Sequence, residues 1–369
     1  MEQNPVLVEE LKSDSGKIIG RVCLDARDTL NALSLDMIDQ LSATLTAWQS
    51  NDEVVCVILS GSGDKAFCAG GDVKSLYQSI IDCNYGANAY ADAFFAHEYR
   101  LDYQIHTYGK PLICWGNGIV MGGGMGLMAG ASHRVVTAAT VMAMPEITIG
   151  LFPDVGGTWF LNRMPGRLGL FAGLTGVRIK AADALHVRLA DYCLDAMRWD
   201  DLLQALIAAP WHGEPSENQQ KVSDILSSLA CEPEGESLLQ THQPLIDVLM
   251  DVTSPADALS NLTKPDLPSW FSRPAQTLAT GSPVSAWLVF EQLRRGKGLS
   301  LADIFRMELT MAIQCTRHKD FAEGIRALLI ERTRDPEWCY PAIGDVPMSR
   351  VDEYFSMDWP EGKHPLADL

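Results

Sequence analysis

The sequence predicts an α/β protein with a helical C-terminal region, and three observations lead to this prediction. Strand patterns, turns and helical patterns alternate through the first half of the chain. Two glycine-rich turns each follow a presumed strand and precede a presumed helix. Beyond residue 205, the strand patterns give way to loops and amphipathic helices.

The N-terminal elements follow from the spacing of apolar residues. Residues 18–24 predict a strand, and Ser34 starts a helical pattern. A β-branched apolar run over residues 54–59 predicts a buried strand. A glycine turn follows at residues 61–64, and an aromatic, polar pattern over residues 84–108 predicts a longer helix.

The same order then repeats along the chain. An apolar strand is predicted at residues 111–120, a glycine turn at 122–124 and a small-residue helix at 125–131. Another strand pattern covers residues 133–138, and residues 167–190 turn helical. Strand–turn–helix units at this density indicate a layered α/β core.

The C-terminal part has a different composition. Residues 209–236 and 251–276 have the composition of loops or linkers around short helices. Residues 283–295 and 299–334 then follow an amphipathic helical pattern.

Composition restricts the function classes. The chain has 369 residues, of which 47% are hydrophobic and 21% charged, as in ordinary globular proteins. The net charge of −18 argues against a nucleic-acid partner, because phosphate backbones require a surface rich in lysine and arginine. One phosphorylated small molecule in a local basic pocket remains compatible with this charge.

Cysteine usage and the N-terminus predict a cytoplasmic protein without a membrane partner. The nine cysteines are scattered and include no C-x-x-C pair, which favours reduced thiols. The first residues show neither a secretory signal nor an arginine-rich transit pattern. The longest apolar stretches are too short and too interrupted by glycine to span a bilayer.

The two glycine-rich turns, Ala69-Gly70-Gly71-Asp72 and Gly122-Gly123-Gly124, are candidate anion sites. Glycine lets a backbone N–H group approach a ligand closely, and a helix N-terminus adds unsatisfied donors and a positive dipole end. Two such turns together would hold one thioester oxygen between two N–H groups. Taken singly, each turn is better explained as a tight connection between a strand and a helix, because glycine-rich turns are common.

Two acids interrupt a run that is otherwise uncharged from Val135 to Asn162. Glu146 and Asp154 are these acids. Desolvation would raise the pKa of a buried carboxyl group towards the working range of a general base. A capping or ion-paired carboxylate is the structural alternative for Glu146.

The joint order of these motifs resembles the crotonase (enoyl-CoA hydratase/isomerase) superfamily. The segments that carry the resemblance are residues 65–72, 118–126, 144–146, 152–157 and 320–327. The resemblance implies the crotonase (ClpP-like) spiral of ββα units. It also implies that the chain has three parts. These are a catalytic acyl-CoA-binding core at 1–205, a helical and loop insertion at 206–277 and a C-terminal helical region at 278–369.

Within the superfamily, the details are similar to the 3-hydroxyisobutyryl-CoA hydrolase branch. Hydratases usually carry a glutamate shortly after the glycine triplet, where this chain has Gly126. The chain keeps Glu146 and has Asp154 where hydratases often have glycine. The resemblance therefore implies hydrolysis of a short 3-hydroxyacyl-CoA thioester in valine breakdown, with hydration or isomerisation of an enoyl-CoA as the alternative.

The resemblance also implies roles for individual residues. Backbone N–H groups of Gly71 and Gly123 would form the oxyanion hole, and Glu146 and Asp154 would be the catalytic carboxylates. The implied substrate-binding residues are Ala69, Asp72, Lys74 and Glu98, with Glu98 near the substrate hydroxyl; Lys74 is equally a solvated helix lysine. No metal and no cofactor are expected beyond the coenzyme A of the substrate, and homo-oligomerisation is left open.

Other classes of protein fit the sequence less well. Residues 124–129 match G-x-G-x-x-A of a dinucleotide site, but this reading leaves the Gly70-Gly71 turn and Asp154 unexplained. The segment 130–134 fails the G-x-S-x-G pattern of serine hydrolases at its last position. A non-catalytic member of the same fold would have no need for Glu146 and Asp154.

Overall fold

The computed structural model describes residues 4–211, 214–359 and 363–369. Two parts of the sequence predictions lie outside the described residues. They are residues 1–3, which belong to the segment tested for a signal sequence, and residues 212–213 of the predicted loop region. Within the described residues, no helix combines the length and the apolar composition needed to cross a bilayer.

The chain forms two units that interleave along the sequence. The first unit consists of Met1–Gly71, Leu101–Met142 and Ile179–Gln240. The second consists of Asp72–Arg100, Ala143–Arg178 and Thr241–Leu369. The functional division at residues 205 and 277 stays a prediction.

The strands form two sheets. In chain order they are β1 (Val6–Lys12), β2 (Ile18–Leu24), β3 (Val54–Gly61), β4 (Ala66–Cys68), β5 (Leu112–Gly116), β6 (Ile119–Met121), β7 (His133–Val136), β8 (Val141–Ala143), β9 (Ile179–Lys180) and β10 (Tyr192–Cys193). The larger sheet has the order β1-β2-β3-β5-β7-β10, and the smaller has the order β4-β6-β8-β9.

The helices follow the strands in the first half and dominate the second half. In chain order they are α1 (Leu35–Gln49), α2 (Val73–Asp82), α3 (Ala89–His106), α4 (Gly123–Ala129), α5 (Gly157–Leu161), α6 (Leu168–Thr175), α7 (Ala181–His186), α8 (Trp199–Ala208), α9 (Pro215–Leu229), α10 (Leu238–Leu249), α11 (Pro255–Leu262), α12 (Ser272–Thr280), α13 (Pro283–Arg295), α14 (Leu301–Arg317), α15 (Lys319–Ile325) and α16 (Met348–Tyr354).

Local sequence explains the elements of the first unit. β3 lies between β2 and β5 in parallel pairing, and all its residues except the last are buried, which is why it reads as a continuous apolar run. Ser34 caps α1, since its side chain accepts a hydrogen bond from the Met37 N–H group. The predicted strand at 111–120 is wrong as one element, because Gly118, with φ of +75°, separates β5 from β6.

The predicted helices of the C-terminal part are present, with one difference. α13 covers the predicted residues 283–295. The pattern at 299–334 is divided into α14, α15 and a π-helical turn over Arg326–Ile330. In the first unit, α9 packs Val222 and Leu226 into the core that covers the larger sheet.

Candidate active site

The two glycine-rich turns lie side by side in the first unit. β4 and β6 pair in parallel, with Cys68 opposite Val120, so the turns that follow them meet at the same edge. A Cβ atom on Gly124 would lie 2.4 Å from the Cys68 carbonyl oxygen, and one on Gly70 would lie 3.6 Å from the Met121 carbonyl oxygen. The close approach of the two backbones therefore requires glycine at position 124, whereas glycine at position 70 is favoured by its φ of +123°.

Each turn presents a backbone N–H group. Gly123 is the first residue of α4, where a helix leaves its N–H groups without intrahelical acceptors. Gly122 has φ of +48° and caps the helix without a side chain. In the other turn the Gly70 carbonyl accepts from Leu33, and no backbone acceptor for the Gly71 N–H group is found among the described residues. This arrangement is suited to hold a developing oxyanion.

The other residues proposed for substrate binding lie at or after the first turn. Ala69 is half-buried and donates its N–H group to the Leu30 carbonyl oxygen. Asp72 caps α2, because its carboxylate accepts from the N–H and hydroxyl groups of Ser75 at 3.2 and 2.6 Å. Lys74 is exposed in the first turn of α2. These contacts give Asp72 a structural function that the sequence did not predict.

Glu146 is buried in the second unit, with 5% of the residue exposed. It begins a 3-10 turn over Glu146–Ile149, which ends at Gly150 in the left-handed conformation. Among the described residues its Oε2 atom has no hydrogen-bond partner. Burial raises the pKa of Glu146 well above its usual range, and the charge of Asp154 raises it further. No ion pair of Glu146 is found within the described ranges, and burial favours the neutral form of this carboxyl group.

The C-terminal helices hold the Glu146 turn. The Ile147 carbonyl oxygen accepts from the Ser282 N–H group at 2.9 Å. The Ser282 hydroxyl donates in turn to Asp320 at 2.7 Å. A Cβ atom on Gly324 would lie 2.4 Å from the Ile149 carbonyl carbon, so only glycine permits this packing. The motif at residues 320–327 is therefore linked directly to the position of Glu146.

Asp154 interacts with two neighbours on α3. The Tyr99 hydroxyl donates a hydrogen bond of 2.7 Å to its Oδ2 atom. Burial raises the pKa of Asp154 to about 6, against the effect of the Tyr99 hydrogen bond, which lowers it. Glu98 is 2% exposed, and its Oε1 atom finds no partner among the described residues. Burial and the charge of Asp154 raise the pKa of Glu98 well above its usual range.

Sequence reasoning missed two residues of this acid cluster, Tyr99 and Glu308. The Glu308 carboxylate accepts from the backbone N–H groups of Gly156 and Thr158 at 2.7 and 2.8 Å. A signal was present, since Glu308 lies four residues after Ile304 on the buried face of an amphipathic helix. Acids on such faces are rare unless they have a partner.

The second unit therefore gathers Glu98, Glu146, Asp154 and Glu308 as buried acids. Burial raises the pKa of Glu308 to about 8, so the four groups cannot all be ionised easily near neutral pH. Carboxyl groups with unequal pKa values are able to divide the roles of base and acid. Substrate hydroxyl groups and water are natural partners for the unpaired oxygens.

A fold with these glycine turns and this acid cluster defines an acyl-CoA enzyme of the crotonase class. A model of the enoyl-CoA hydratase/isomerase family matches residues 19–355. The chain belongs to this family.

Individual relatives extend this result. The chain is 36% identical over 340 residues to the mitochondrial 3-hydroxyisobutyryl-CoA hydrolase of Gallus gallus, covering 91% of this chain and 86% of the relative. The corresponding protein of Homo sapiens is 31% identical over 359 residues, covering 96% and 90%.

Solved structures share the fold over almost the whole chain. A carnitinyl-CoA dehydratase from Mycobacterium thermoresistibile has a TM-score of 0.87 and 35% identity, covering 98% of this chain and 99% of that one. An enoyl-CoA hydratase from Rhodobacter sphaeroides has a TM-score of 0.83 and 31% identity, covering 96% and 97%. The predicted crotonase fold is confirmed.

Proposed function

We propose that this protein hydrolyses 3-hydroxyisobutyryl-CoA to 3-hydroxyisobutyrate and coenzyme A. The observation that carries the proposal is the Glu146 carboxyl group, which is buried, lacks a cation and has one oxygen without a partner among the described residues. Gly126 stands where hydratases usually have a further glutamate. The two hydrolases with which the chain aligns over most of its length support the same assignment.

In the proposed reaction, the N–H groups of Gly71 and Gly123 stabilise negative charge on the thioester oxygen. Glu146, when ionised, takes a proton from water as the water oxygen attacks the carbonyl carbon. The tetrahedral intermediate then expels the thiolate by breaking the C–S bond. Protonated Asp154 or Glu146 supplies the proton that converts the thiolate to the free thiol of coenzyme A.

A second route uses Glu146 as the nucleophile. Its carboxylate would attack the carbonyl carbon, expel the thiolate and form a mixed anhydride, which water then cleaves. One turnover in oxygen-18 water tests for the anhydride. Label in Glu146 or Asp154 after that turnover requires an anhydride that water cleaves at the carbonyl carbon of the enzyme. Label in the product acid alone is expected for direct attack by water and for cleavage of an anhydride at the acyl carbonyl carbon.

Hydration of an enoyl-CoA is the second candidate function, because the two structural relatives are named a carnitinyl-CoA dehydratase and an enoyl-CoA hydratase. A panel of acyl-CoAs tests both candidates with the same enzyme. Release of free thiol from 3-hydroxyisobutyryl-CoA, without change in the absorbance of an enoyl thioester, supports hydrolysis. Loss of that absorbance without thiol release overturns the proposal in favour of hydration.

The acyl pocket follows from the same proposal. We propose that Glu98 accepts a hydrogen bond from the substrate hydroxyl, and the support is that its Oε1 atom is buried without a partner among the described residues. Ala69, Asp72 and Lys74 remain proposed substrate-binding residues. We propose that no cofactor takes part besides the coenzyme A of the substrate, and dialysis against a chelator should leave the activity unchanged.

The compartment and the assembly are further proposals. Reduced cysteines support the cytoplasm, whereas the names of the curated relatives place those proteins in mitochondria. Fractionation of cells that produce the full chain tests this. Sedimentation of the purified protein tests the proposed homo-oligomer.

A further inference from the structure

Glu308 is a fully buried acid, and no cation is found among its contacts in the part of the chain that the structure describes. Glu308 lies on α14, and 0% of its surface is exposed. Its two oxygens accept from two different backbone N–H groups, Oε2 from Gly156 and Oε1 from Thr158. Burial of an acid costs free energy unless the acid is well hydrogen-bonded. The two hydrogen bonds offset this cost, but the presence of an acid at this buried position requires an explanation.

The Gly156 N–H group belongs to the turn over residues 154–157, which has an unfavourable conformation, and the Thr158 N–H group belongs to the start of α5, which follows this turn. Val155 has φ of +54°, a value that β-branched residues rarely adopt, and Gly156 has φ of +83°. The Gly157 N–H group donates to the Asp154 carbonyl oxygen at 2.7 Å, which closes the turn. A β-branched residue in this region persists only where surrounding contacts fix it.

The turn determines where the Asp154 side chain points. Asp154 is its first residue, directly before the left-handed Val155. Relaxation of Val155 to a negative φ would rotate the preceding peptide and move the carboxylate away from the Tyr99 hydroxyl. The two hydrogen bonds to Glu308 act on the residues that follow Val155 and so oppose this relaxation.

We propose that Glu308 is a positioning residue for Asp154, which it holds in place through the 154–157 turn. This inference rests on the proposed hydrolase function, in which Asp154 takes part. Glu308 acts on catalysis without touching the substrate. The residue would therefore affect the rate of the chemical step and leave acyl-CoA binding largely unchanged.

The principal test replaces Glu308 by glutamine in the full chain. The amide oxygen still accepts one N–H group, but the amide nitrogen faces the other N–H group as a second donor. We expect Glu308→Gln to lower kcat about tenfold with KM within about twofold of the wild type, because misplacement of a catalytic group acts on the chemical step. A rise in KM without a fall in kcat contradicts the proposal.

A double-variant cycle separates positioning from general stability. In the Asp154→Asn background, Glu308→Gln should lower kcat less than about twofold, because the group that it positions is already lost. An equal loss in both backgrounds overturns the proposal. The matched control is Glu291→Gln, which removes a buried acid from α13 that is paired with Arg294 and Arg295. This variant should leave kcat unchanged.

Hydrogen exchange tests the proposal without using activity. In the wild type, the amide protons of Gly156 and Thr158 should exchange slowly in NMR measurements, and rapid exchange of both overturns the proposal. In Glu308→Gln at least one of them should exchange faster. A wild type that releases no thiol contradicts the proposed function alone, because the exchange result still reports on the turn.

Discussion

The hydroxyl group of Tyr99 donates a hydrogen bond of 2.7 Å to Oδ2 of Asp154, and both residues are buried. This bond favours the charged form of Asp154 and limits the rise of its pKa to about 6. Among the described residues, one oxygen of Glu98 and one of Glu146 have no hydrogen-bond donor, and burial raises the pKa values of both groups well above the usual range. The Tyr99 hydroxyl group thus contributes to the difference between the pKa of Asp154 and the pKa values of its neighbours.

Replacing Tyr99 by phenylalanine tests this separation. Without the hydroxyl donor, the charged form of Asp154 loses stabilisation, so we expect its pKa to rise above about 6. A hydrogen bond to a charged group contributes about 1.5–3 kcal/mol, which corresponds to a shift of roughly one to two pKa units. The corresponding limb of the pH profile of kcat/KM should move to higher pH by that amount.

The control is Tyr108→Phe, which removes another buried hydroxyl. Tyr108 donates to the Leu45 carbonyl oxygen at 2.9 Å and belongs to the first unit. This variant should leave the pH profile in place. An unchanged limb in Tyr99→Phe, or the same shift in both variants, contradicts the role of the Tyr99 hydrogen bond.

Glu146→Gln should reduce the dependence of stability on pH. Folding raises the pKa of Glu146 above its value in the unfolded chain, which is about 4. The contribution of this group to the free energy of unfolding is therefore fully present below the unfolded pKa, and it is lost as the pH rises through the folded pKa. The wild type should therefore lose stability between pH 5 and pH 8 more steeply than Glu146→Gln. Urea unfolding at several pH values measures the two slopes.

Net charge alone would also change this slope, because the chain carries a formal charge of −18. Glu217→Gln is a matched control, since it removes the same charge at an exposed position of α9. This control should follow the wild-type slope. If Glu146→Gln also follows that slope, the interpretation of Glu146 as a buried acid with a raised pKa is wrong.

Gly124→Ala should damage the proposed oxyanion hole. The added Cβ atom would lie 2.4 Å from the Cys68 carbonyl oxygen, so α4 and β4 must separate and the Gly123 N–H group moves with α4. We expect kcat to fall about a hundredfold, the loss expected for one oxyanion donor. The rate of thiol release by the folded variant measures this fall in kcat. The control is Gly344→Ala at an exposed position, where none of the described atoms lies within 4 Å of the new Cβ atom. This variant should retain activity.

Glu98→Gln should discriminate between substrates with and without a hydroxyl group. A substrate hydroxyl that donates to Glu98 would stabilise the charged form of this carboxyl group against the effect of burial. The variant should then lower kcat/KM for 3-hydroxyisobutyryl-CoA about tenfold, since charged acceptors form stronger hydrogen bonds. Isobutyryl-CoA lacks this hydroxyl and should be affected less than twofold. Equal losses for the two thioesters would place Glu98 elsewhere in the mechanism.

Much of the fold could be predicted, because local patterns determine it. The period of apolar residues after Ser34 predicted α1, and the β-branched run from Val54 predicted β3. The break between β5 and β6 was not predicted. It depends on Gly118, where a Cβ atom would lie 2.4 Å from the Lys65 carbonyl oxygen, a contact between distant parts of the chain.

The candidate site was predictable only where its residues form sequence motifs. Glu146 and Asp154 stand out because their surroundings are uncharged. Glu308 lies more than a hundred residues from the turn that it contacts, so only the folded chain shows this relationship. The capping function of Asp72 was not predicted for another reason. Asp72 belongs to a glycine-rich motif, and it was therefore interpreted as a substrate-binding residue and not as a helix cap.

The most direct test of the central claim compares thiol release from saturating 3-hydroxyisobutyryl-CoA by the wild type and by Glu146→Gln. Circular dichroism first establishes that both proteins are folded. The proposed hydrolysis predicts steady release by the wild type and a fall in kcat of at least about a hundredfold in the variant, as for loss of a general base. A variant that releases thiol at the wild-type rate would contradict the assignment of Glu146.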